Sequence, residues 1–225
     1  CIPCFNEESN IHEIYRRTTR VISYIKDYDF SIVFSDNAST DKTLEIIKKL
    51  AEKDERVGYI ANIANFGFVR SSANVLLTPD TDANILLFSD LQDPPEEIPK
   101  LIHEWESTDS QVVFAVRKTS KENKVLFFLK TKYYSFLSWL TEKRMVKNTT
   151  GFGIYDKSVI QTLRKSIDSY PFIKGLVCTI GFKWSTVPYI SSEREFGNSS
   201  ASLPFLIDFG VLGIVNSSRK PIRII

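Results

Sequence analysis

The stretch Leu86-Leu87-Phe88-Ser89-Asp90-Leu91-Gln92-Asp93-Pro94-Pro95-Glu96 decides how the rest of the chain is read. An apolar run of strand type, from Asn84 to Phe88, delivers the chain to an Asp-x-Gln-Asp cluster, and two prolines then force an extended exit. Up to three oxygen-bearing side chains therefore collect at the carboxyl end of a central strand, where open α/β sheets keep their ligands. Hard divalent cations take such oxygens and complete their shell with substrate phosphates. The plain structural alternative is a polar strand-to-helix turn with a Pro-Pro helix start. The segments on either side decide between the two.

Those segments alternate strand and helix signals at the spacing of a parallel α/β sheet. A strand stub ends at Cys4, and Ile11, Ile14, Tyr15, Thr18 and Ile22 give one helical face, with Asn10 and Glu13 placed like a capping box. Strands are expected at Phe30 to Phe34, Val57 to Ala61, Ile85 to Phe88 and Gln111 to Val116. Helices are expected on Leu44 to Ala51, entered through Ser39-Thr40-Asp41, on Phe68 to Leu77, and on Glu96 to Trp105. After Arg117 the pattern changes to a long aromatic-rich helix candidate, Lys124 to Leu140. A turn or strand at Gly151 to Ile154, helices near Ser158 to Lys165 and Tyr170 to Gly181, a strand at Phe182 to Tyr189 and an apolar helix within Ser199 to Ser217 complete it.

At 225 residues and 43% hydrophobic, the chain can bury one substantial core, so a single domain over 1–225 is expected, with 1–116 and 117–225 as its two halves. A net charge of +2 argues against a dedicated nucleic-acid binder. The charge is uneven: nine Lys/Arg lie between Arg117 and Lys147 against Glu122 and Glu142, interleaved with aromatics such as Phe127, Tyr133 and Trp139. Three cysteines give neither a metal pattern nor a disulfide framework, and Cys1-x-x-Cys4 runs straight into Phe-Asn-Glu, so redox chemistry is not expected. No signal peptide and no apolar run of membrane-spanning length is visible. The chain opens on what reads as the end of a strand, and both ends read as cut, which predicts a longer natural protein.

Four separated segments resemble the family 2 glycosyltransferases of the GT-A fold, closest to the branch that loads sugars onto polyprenyl phosphate. They are Pro3-Cys4-Phe5-Asn6-Glu7-Glu8, Asp36-Asn37-Ala38-Ser39-Thr40-Asp41-Lys42-Thr43, Asn65-Phe66-Gly67, and Asp90-Leu91-Gln92-Asp93-Pro94-Pro95-Glu96. Gly175-Leu176 with Gly181-Phe182, and Arg194-Glu195-Phe196-Gly197-Asn198-Ser199-Ser200, match in the same order further on. The resemblance implies a Rossmann-like, mostly parallel sheet flanked by helices, with C-terminal interfacial helices leading toward a membrane anchor.

Elementary chemistry agrees with the resemblance at the first two segments. Pro3, Phe5 and Glu7 leave one strand end and Asp36 leaves the next, so adjacent tips can clasp a nucleobase; a ring stacks on the base and a carboxylate accepts from its N–H. A solvated first helical turn is the plain explanation for Glu7 and Glu8, and a helix cap is the explanation adopted for Asp41. The resemblance adds Asn65, Gly67 and Ser89 to the nucleotide site. It makes Asp90 and Gln92 the ligands of Mg²⁺ or Mn²⁺, facing one ion while Leu91 points into the core. It also implies phosphate contacts for Arg117 and Arg194, with Lys130 or Lys132 as a further cation.

Two departures stand out. Phe88 occupies the first position of the family's usual Asp-x-Asp. At Thr149-Thr150-Gly151-Phe152-Gly153 the bacterial branch often reads Thr-Gly-Asp-Phe-Arg, which sets Gly151 where an Asp is common and Gly153 where an Arg is common. A polyprenyl phosphate is already anionic and needs positioning rather than deprotonation, so the missing Asp favours a phosphate nucleophile unless Asp93 stands in as base.

The expected activity is inverting, metal-dependent sugar transfer from a nucleotide sugar, UDP-linked rather than GDP-linked, to a polyprenyl phosphate at the cytoplasmic membrane face. Lys124 to Leu140, and Leu203 to Val215 followed by Arg219, Lys220 and Arg223, have the composition of interfacial helices drawn to anionic lipid. A homo-oligomer is compatible. The alternatives are transfer to a saccharide hydroxyl, as in cell-surface polysaccharide synthesis, and a catalytically silent nucleotide-sugar-binding membrane scaffold.

Overall fold

The computed structural model describes residues 1–118, 146, 148–166 and 171–192. The expectations placed on Lys124 to Leu140, Lys130, Lys132, Arg194 and Ser199 to Ser217 lie outside the described residues. The elements are β1 (Ile2–Cys4), α1 (Ile11–Ser23), β2 (Ile32–Asp36), α2 (Thr43–Lys53), β3 (Val57–Ala61), α3 (Gly67–Leu77) and β4 (Ala83–Leu86). A 3₁₀ turn (Pro95–Glu97) then runs into α4 (Ile98–Ser107), followed by β5 (Val112–Arg117) and β6 (Gly153–Asp156). The last are α5 (Lys157–Ser166), α6 (Ile173–Ile180) and β7 (Trp184–Tyr189).

Strands β1, β2 and β3 pair in parallel with β2 in the middle, and the second set runs β4-β6-β5-β7. Two backbone bonds join the sets in the manner of a parallel pair: the Cys1 amine donates to Ile85 O at 2.9 Å, and Leu87 N donates to Cys1 O at 3.0 Å. The strands thus follow one another as β3-β2-β1-β4-β6-β5-β7. Among the described strands β6 alone runs against the others, antiparallel to both β4 and β5. The mostly parallel sheet expected from the alternating pattern is present, and the single reversal matters for function. It brings the amino end of β6, at Gly153, to the same edge as the carboxyl ends of β4 and β5, opposite Leu86 and Phe114.

Helical periodicity explains the outer layers. Ile11, Ile14, Thr18, Val21 and Ile22 form the buried stripe of α1, and Ile98, Leu101 and Ile102 that of α4. Phe34, Phe114, Phe152 and Tyr155 are fully buried between the layers; each such side chain contributes about 2–3 kcal/mol. The fourth strand ends two residues earlier than its apolar run suggests. Leu87 and Phe88 are buried, yet the chain has left the ladder and is bending toward Asp90. The capping box also fails to form. The Asn10 amide donates to Glu7 Oε2 instead of capping α1, while Glu13 pairs with Arg16 at 2.7 Å. The Arg17 guanidinium grips Glu96 at 2.6 Å and fixes α1 against the 3₁₀ turn.

Gly153 sits where β6 is squeezed between two neighbours. A Cβ there would lie 2.3 Å from Val113 O and 3.2 Å from Phe114 Cα, both backbone atoms. Gly153→Ala is therefore expected to cost about 3 kcal/mol or more. Urea unfolding measures it, and a midpoint equal to that of the wild type would show that the two strands part without penalty.

Candidate active site

The carboxyl edge of the sheet carries two side-chain groups, separated by the turn that holds Asp90. The first is built on β1, β2 and the loop after β3. The β1–α1 and β2–α2 loops are laced to each other: Asn6 N donates to Ser39 Oγ at 2.9 Å and Thr40 N returns to Asn6 Oδ1 at 2.8 Å. Glu7 N donates to Thr43 Oγ1 at 2.8 Å, Glu8 N to Asp41 Oδ2 at 3.1 Å, and Lys42 N to Glu8 Oε2 at 2.9 Å. Asp41 also accepts from Thr43 N at 2.9 Å, so it does more than the expected capping: it ties two loops together. Burial alone would raise its carboxyl, but the hydrogen bonds from Thr43 and Glu8 outweigh that and hold it below the ordinary value. Matching Ser39-Thr40-Asp41 to the family's turn puts Ala38 on the turn's glycine, and Ala38 does take φ +60°. That conformation costs an alanine about 1 kcal/mol.

Within this frame Asp36 is 1% exposed. Its Oδ2 accepts from Ser39 N at 3.2 Å, whereas Oδ1 has no hydrogen-bond partner among the described residues. A buried carboxylate oxygen without a donor is costly, and a ring N–H or hydroxyl supplied by a ligand would relieve it. Pro3 is buried, and its carbonyl accepts from the buried Ser89 Oγ at 3.0 Å, which pins the tips of β1 and β4 together. Phe5 stands 42% exposed beside them. Asn65 Oδ1 accepts from Gly67 N at 2.9 Å and from Asn37 Nδ2 at 2.8 Å, so its carbonyl serves the loop. Gly67 has φ +80° and open space around its Cα, which leaves room for close approach by a ligand.

Asn37 was not singled out from the sequence. It is buried, and its carbonyl accepts from Asn62 Nδ2 and Phe66 N, both at 3.1 Å, so it organises the whole loop after β3. The Asn-rich spacing of Asn37, Asn62 and Asn65 was the available signal.

The turn between the groups runs through Leu91, which has φ +60° and is fully buried. The core-facing Leu91 expected from alternation is present, but a left-handed turn produces it, because β4 has already ended. Asp90 Oδ1 accepts from Gln92 N at 3.2 Å, and both side chains are half-buried. No group of three or more His, Cys, Asp or Glu able to hold a metal occurs among the described residues. One carboxylate and one amide oxygen do not make a cage. They do fit a hard cation of the magnesium type, which uses one or two protein oxygens and takes the remainder from water and substrate phosphates. Phe88 is buried and stacked on Phe68 of α3, ring centroids 5.2 Å apart, so the place of the usual first carboxylate is an aromatic contact.

The second group joins Asp93 and Arg117, which are 24 residues apart, to two residues the sequence did not suggest. Asp93 is fully buried. Its Oδ1 accepts from Arg117 Nη2 at 2.7 Å, from Arg117 Nε at 3.3 Å and from the Tyr189 hydroxyl, and its Oδ2 accepts from Thr150 Oγ1 at 2.9 Å. With both oxygens engaged, Asp93 is placed to hold Arg117 rather than to take a proton from an acceptor. Burial alone would lower Arg117; the charge of Asp93 and then the Tyr189 phenol outweigh it and hold the guanidinium above its ordinary value. Burial first, then Asp93, pushes the Tyr189 phenol up, so it remains a donor. Gly151 and Gly153 supply no carboxylate to this edge, and Gly151, at φ +110°, is in a conformation that disfavours one. Burial also pushes the Cys4 thiol up, the reverse of an activated thiolate.

Comparison with known proteins agrees with this geometry. The family model described as Glycosyl transferase family 2 matches residues 1–167. The uncharacterized glycosyltransferase YkcC of Bacillus subtilis (strain 168) is 31% identical over 99% of this chain and 69% of its own length. The bactoprenol glucosyl transferase of Shigella phage SfX is 28% identical over 99% of this chain and 73% of its own. Among solved structures, glucosyl-3-phosphoglycerate synthase from Mycobacterium tuberculosis, in complex with Mn²⁺, UDP-Glc and phosphoglyceric acid, superposes with a TM-score of 0.64 at 16% identity, covering 96% of this chain and 76% of that one. TarS of S. aureus in complex with UDP-GlcNAc gives a TM-score of 0.58 at 15% identity, and there this chain spans only 66% of the other. At such identities the structural likeness speaks for the GT-A fold alone, while the sequence matches speak for the family. The chain belongs to glycosyltransferase family 2.

Proposed function

We propose that this chain transfers a sugar, with inversion, from a UDP-linked donor to a polyprenyl phosphate at the cytoplasmic face of a membrane. The observation that carries this reading is the second group: a fixed, partly exposed arginine whose carboxylate partner is fully engaged, beside a loop with glycine where a base would stand. That arrangement suits an acceptor that arrives as an anion and needs to be held. The likeness to bactoprenol glucosyl transferases supports the same acceptor. No helix among the described residues is long and apolar enough to cross a membrane; membrane contact is assigned to the basic aromatic segment 124–140 and to the C-terminal part.

In this reading the halves divide near residue 117, with the donor held by the first. Pro3, Phe5 and Glu7 flank the base, and Asp36 Oδ1 accepts from its ring N–H. Asn65, Gly67 and Ser89 line the ribose and diphosphate side, and Asp90 and Gln92 hold Mg²⁺ or Mn²⁺. The cation, when bound, offsets the charge on the departing nucleoside diphosphate. Arg117, together with Arg194, orients the acceptor phosphate so that its oxygen approaches the anomeric carbon from the face opposite the leaving group.

The test supplies the full-length protein with labelled UDP-glucose, undecaprenyl phosphate and Mn²⁺, and extracts with chloroform. Label in the organic phase is the expected result; label only in water-soluble glycan would replace this acceptor with a saccharide hydroxyl. Phe88, packed on Phe68, favours one second reading, a nucleotide-sugar binder without turnover. Metal-dependent binding of the donor with no labelled product of either kind would establish it.

A further inference from the structure

We infer that Tyr189 and Thr150 are positioning residues for the acceptor phosphate, acting through Arg117; the inference rests on the phosphate-acceptor reading. The Tyr189 hydroxyl accepts from Arg117 Nε at 2.9 Å and donates to Asp93 Oδ1. Asp93 Oδ1 takes Nη2 at 2.7 Å, so one edge of the guanidinium is held by two acceptors, one in the turn after β4 and one on β7. Thr150 Oγ1 donates to the other Asp93 oxygen at 2.9 Å and fixes the carboxylate that fixes the arginine. The loop carrying Thr150 is anchored in turn. Lys174 Nζ donates to Thr149 O at 3.2 Å, the Tyr155 hydroxyl donates to Gly151 O at 2.7 Å, and Arg117 N donates to Asn148 O at 2.9 Å.

The pair is buried on one side only. Here Asp93 has no exposure while the Arg117 side chain keeps 29% of its own. The Nε edge is spent on Asp93 and Tyr189, and Arg117 stands at the carboxyl end of β5 with N–H groups left over for a ligand. Arginine presented this way binds a phosphate with little left to order, because its plane is already set. Without the phenol, Nε keeps only the 3.3 Å contact to Asp93, and the guanidinium is held by a single carboxylate oxygen instead of two acceptors.

The experiment measures equilibrium binding of undecaprenyl phosphate in detergent micelles to the full-length protein, with undecaprenol as the phosphate-free control. Arg117→Ala is expected to weaken binding of the phosphate about tenfold or more, and Tyr189→Phe about three- to tenfold. Thr150→Val should behave like Tyr189→Phe and Thr150→Ser like the wild type, with undecaprenol binding unchanged throughout. Because Tyr189 is only 2% exposed, its variant is checked by thermal melting. If that chain does not fold, the pair at Thr150, which is half-buried, decides alone. Wild-type affinity in both Tyr189→Phe and Thr150→Val, with Arg117→Ala weakened, overturns the positioning role and leaves the acceptor reading intact. An equal loss for undecaprenol also overturns it, as packing damage. Wild-type affinity in Arg117→Ala overturns both.

Discussion

Asp90→Ala is expected to lower sugar transfer by about 10²- to 10³-fold. The figure follows from the proposed metal role, in which Asp90 is the one carboxylate assigned to the ion and Gln92 adds only an amide oxygen. Metal stabilisation of a leaving diphosphate contributes several kcal/mol, and about 3–4 kcal/mol of barrier is that range in rate. Initial rates across a Mn²⁺ titration check it, and a melting curve shows that the variant is folded. A variant that keeps more than half of the wild-type rate would remove Asp90 from the metal site, and with it the main chemical role assigned to the turn.

Asp93→Ala is expected to do the opposite kind of damage. Three donors, Arg117, Tyr189 and Thr150, lose at once an acceptor that is itself fully buried. Removing one partner of a buried ion pair costs about 3–5 kcal/mol. The partial exposure of Arg117 puts the expectation at the lower end, about 3 kcal/mol, which for a chain of this size lowers the melting temperature by roughly 6–12 °C. Acceptor binding falls with it, since the guanidinium is no longer held. Asp93→Asn, which keeps an oxygen acceptor but not the charge, should lie between the two. If Asp93→Ala melts with the wild type, the cluster contributes little to the fold, and the ion pair is worth no more than a surface one.

The contrast between these two carboxylates marks what the sequence could and could not reveal. Strand and helix order was legible because each element is short and strongly periodic; β3 falls on Val57–Ala61 as its apolar pattern suggests. The end of β4 was misplaced because an apolar run looks alike whether it stays in the ladder or leaves it to pack against the core, as Leu87 and Phe88 do. Asn10 had the spacing of a cap but found Glu7 three residues before it instead. Asp90 and Asp93 stand in one short motif, and spacing does not separate a side chain at a half-open turn from one sealed behind Arg117. The sealing partner Tyr189 is 96 residues from Asp93, at the end of β7, with no local signal linking them. Gly153 illustrates the reverse case. It first reads as an arginine the family has and this chain lacks; the structure shows two backbones meeting there, with no room for any side chain.

The reciprocal bonds between the β1–α1 and β2–α2 loops have a kinetic consequence. Asn6, Glu7 and Glu8 on one side, and Ser39, Thr40, Lys42 and Thr43 on the other, are held by one another. A rim tied by its own hydrogen bonds leaves no loop to fold around the base of the proposed donor. The encounter rate of a nucleotide with this edge is then set by diffusion and charge, and differences in affinity among nucleotides are carried by how fast each one leaves.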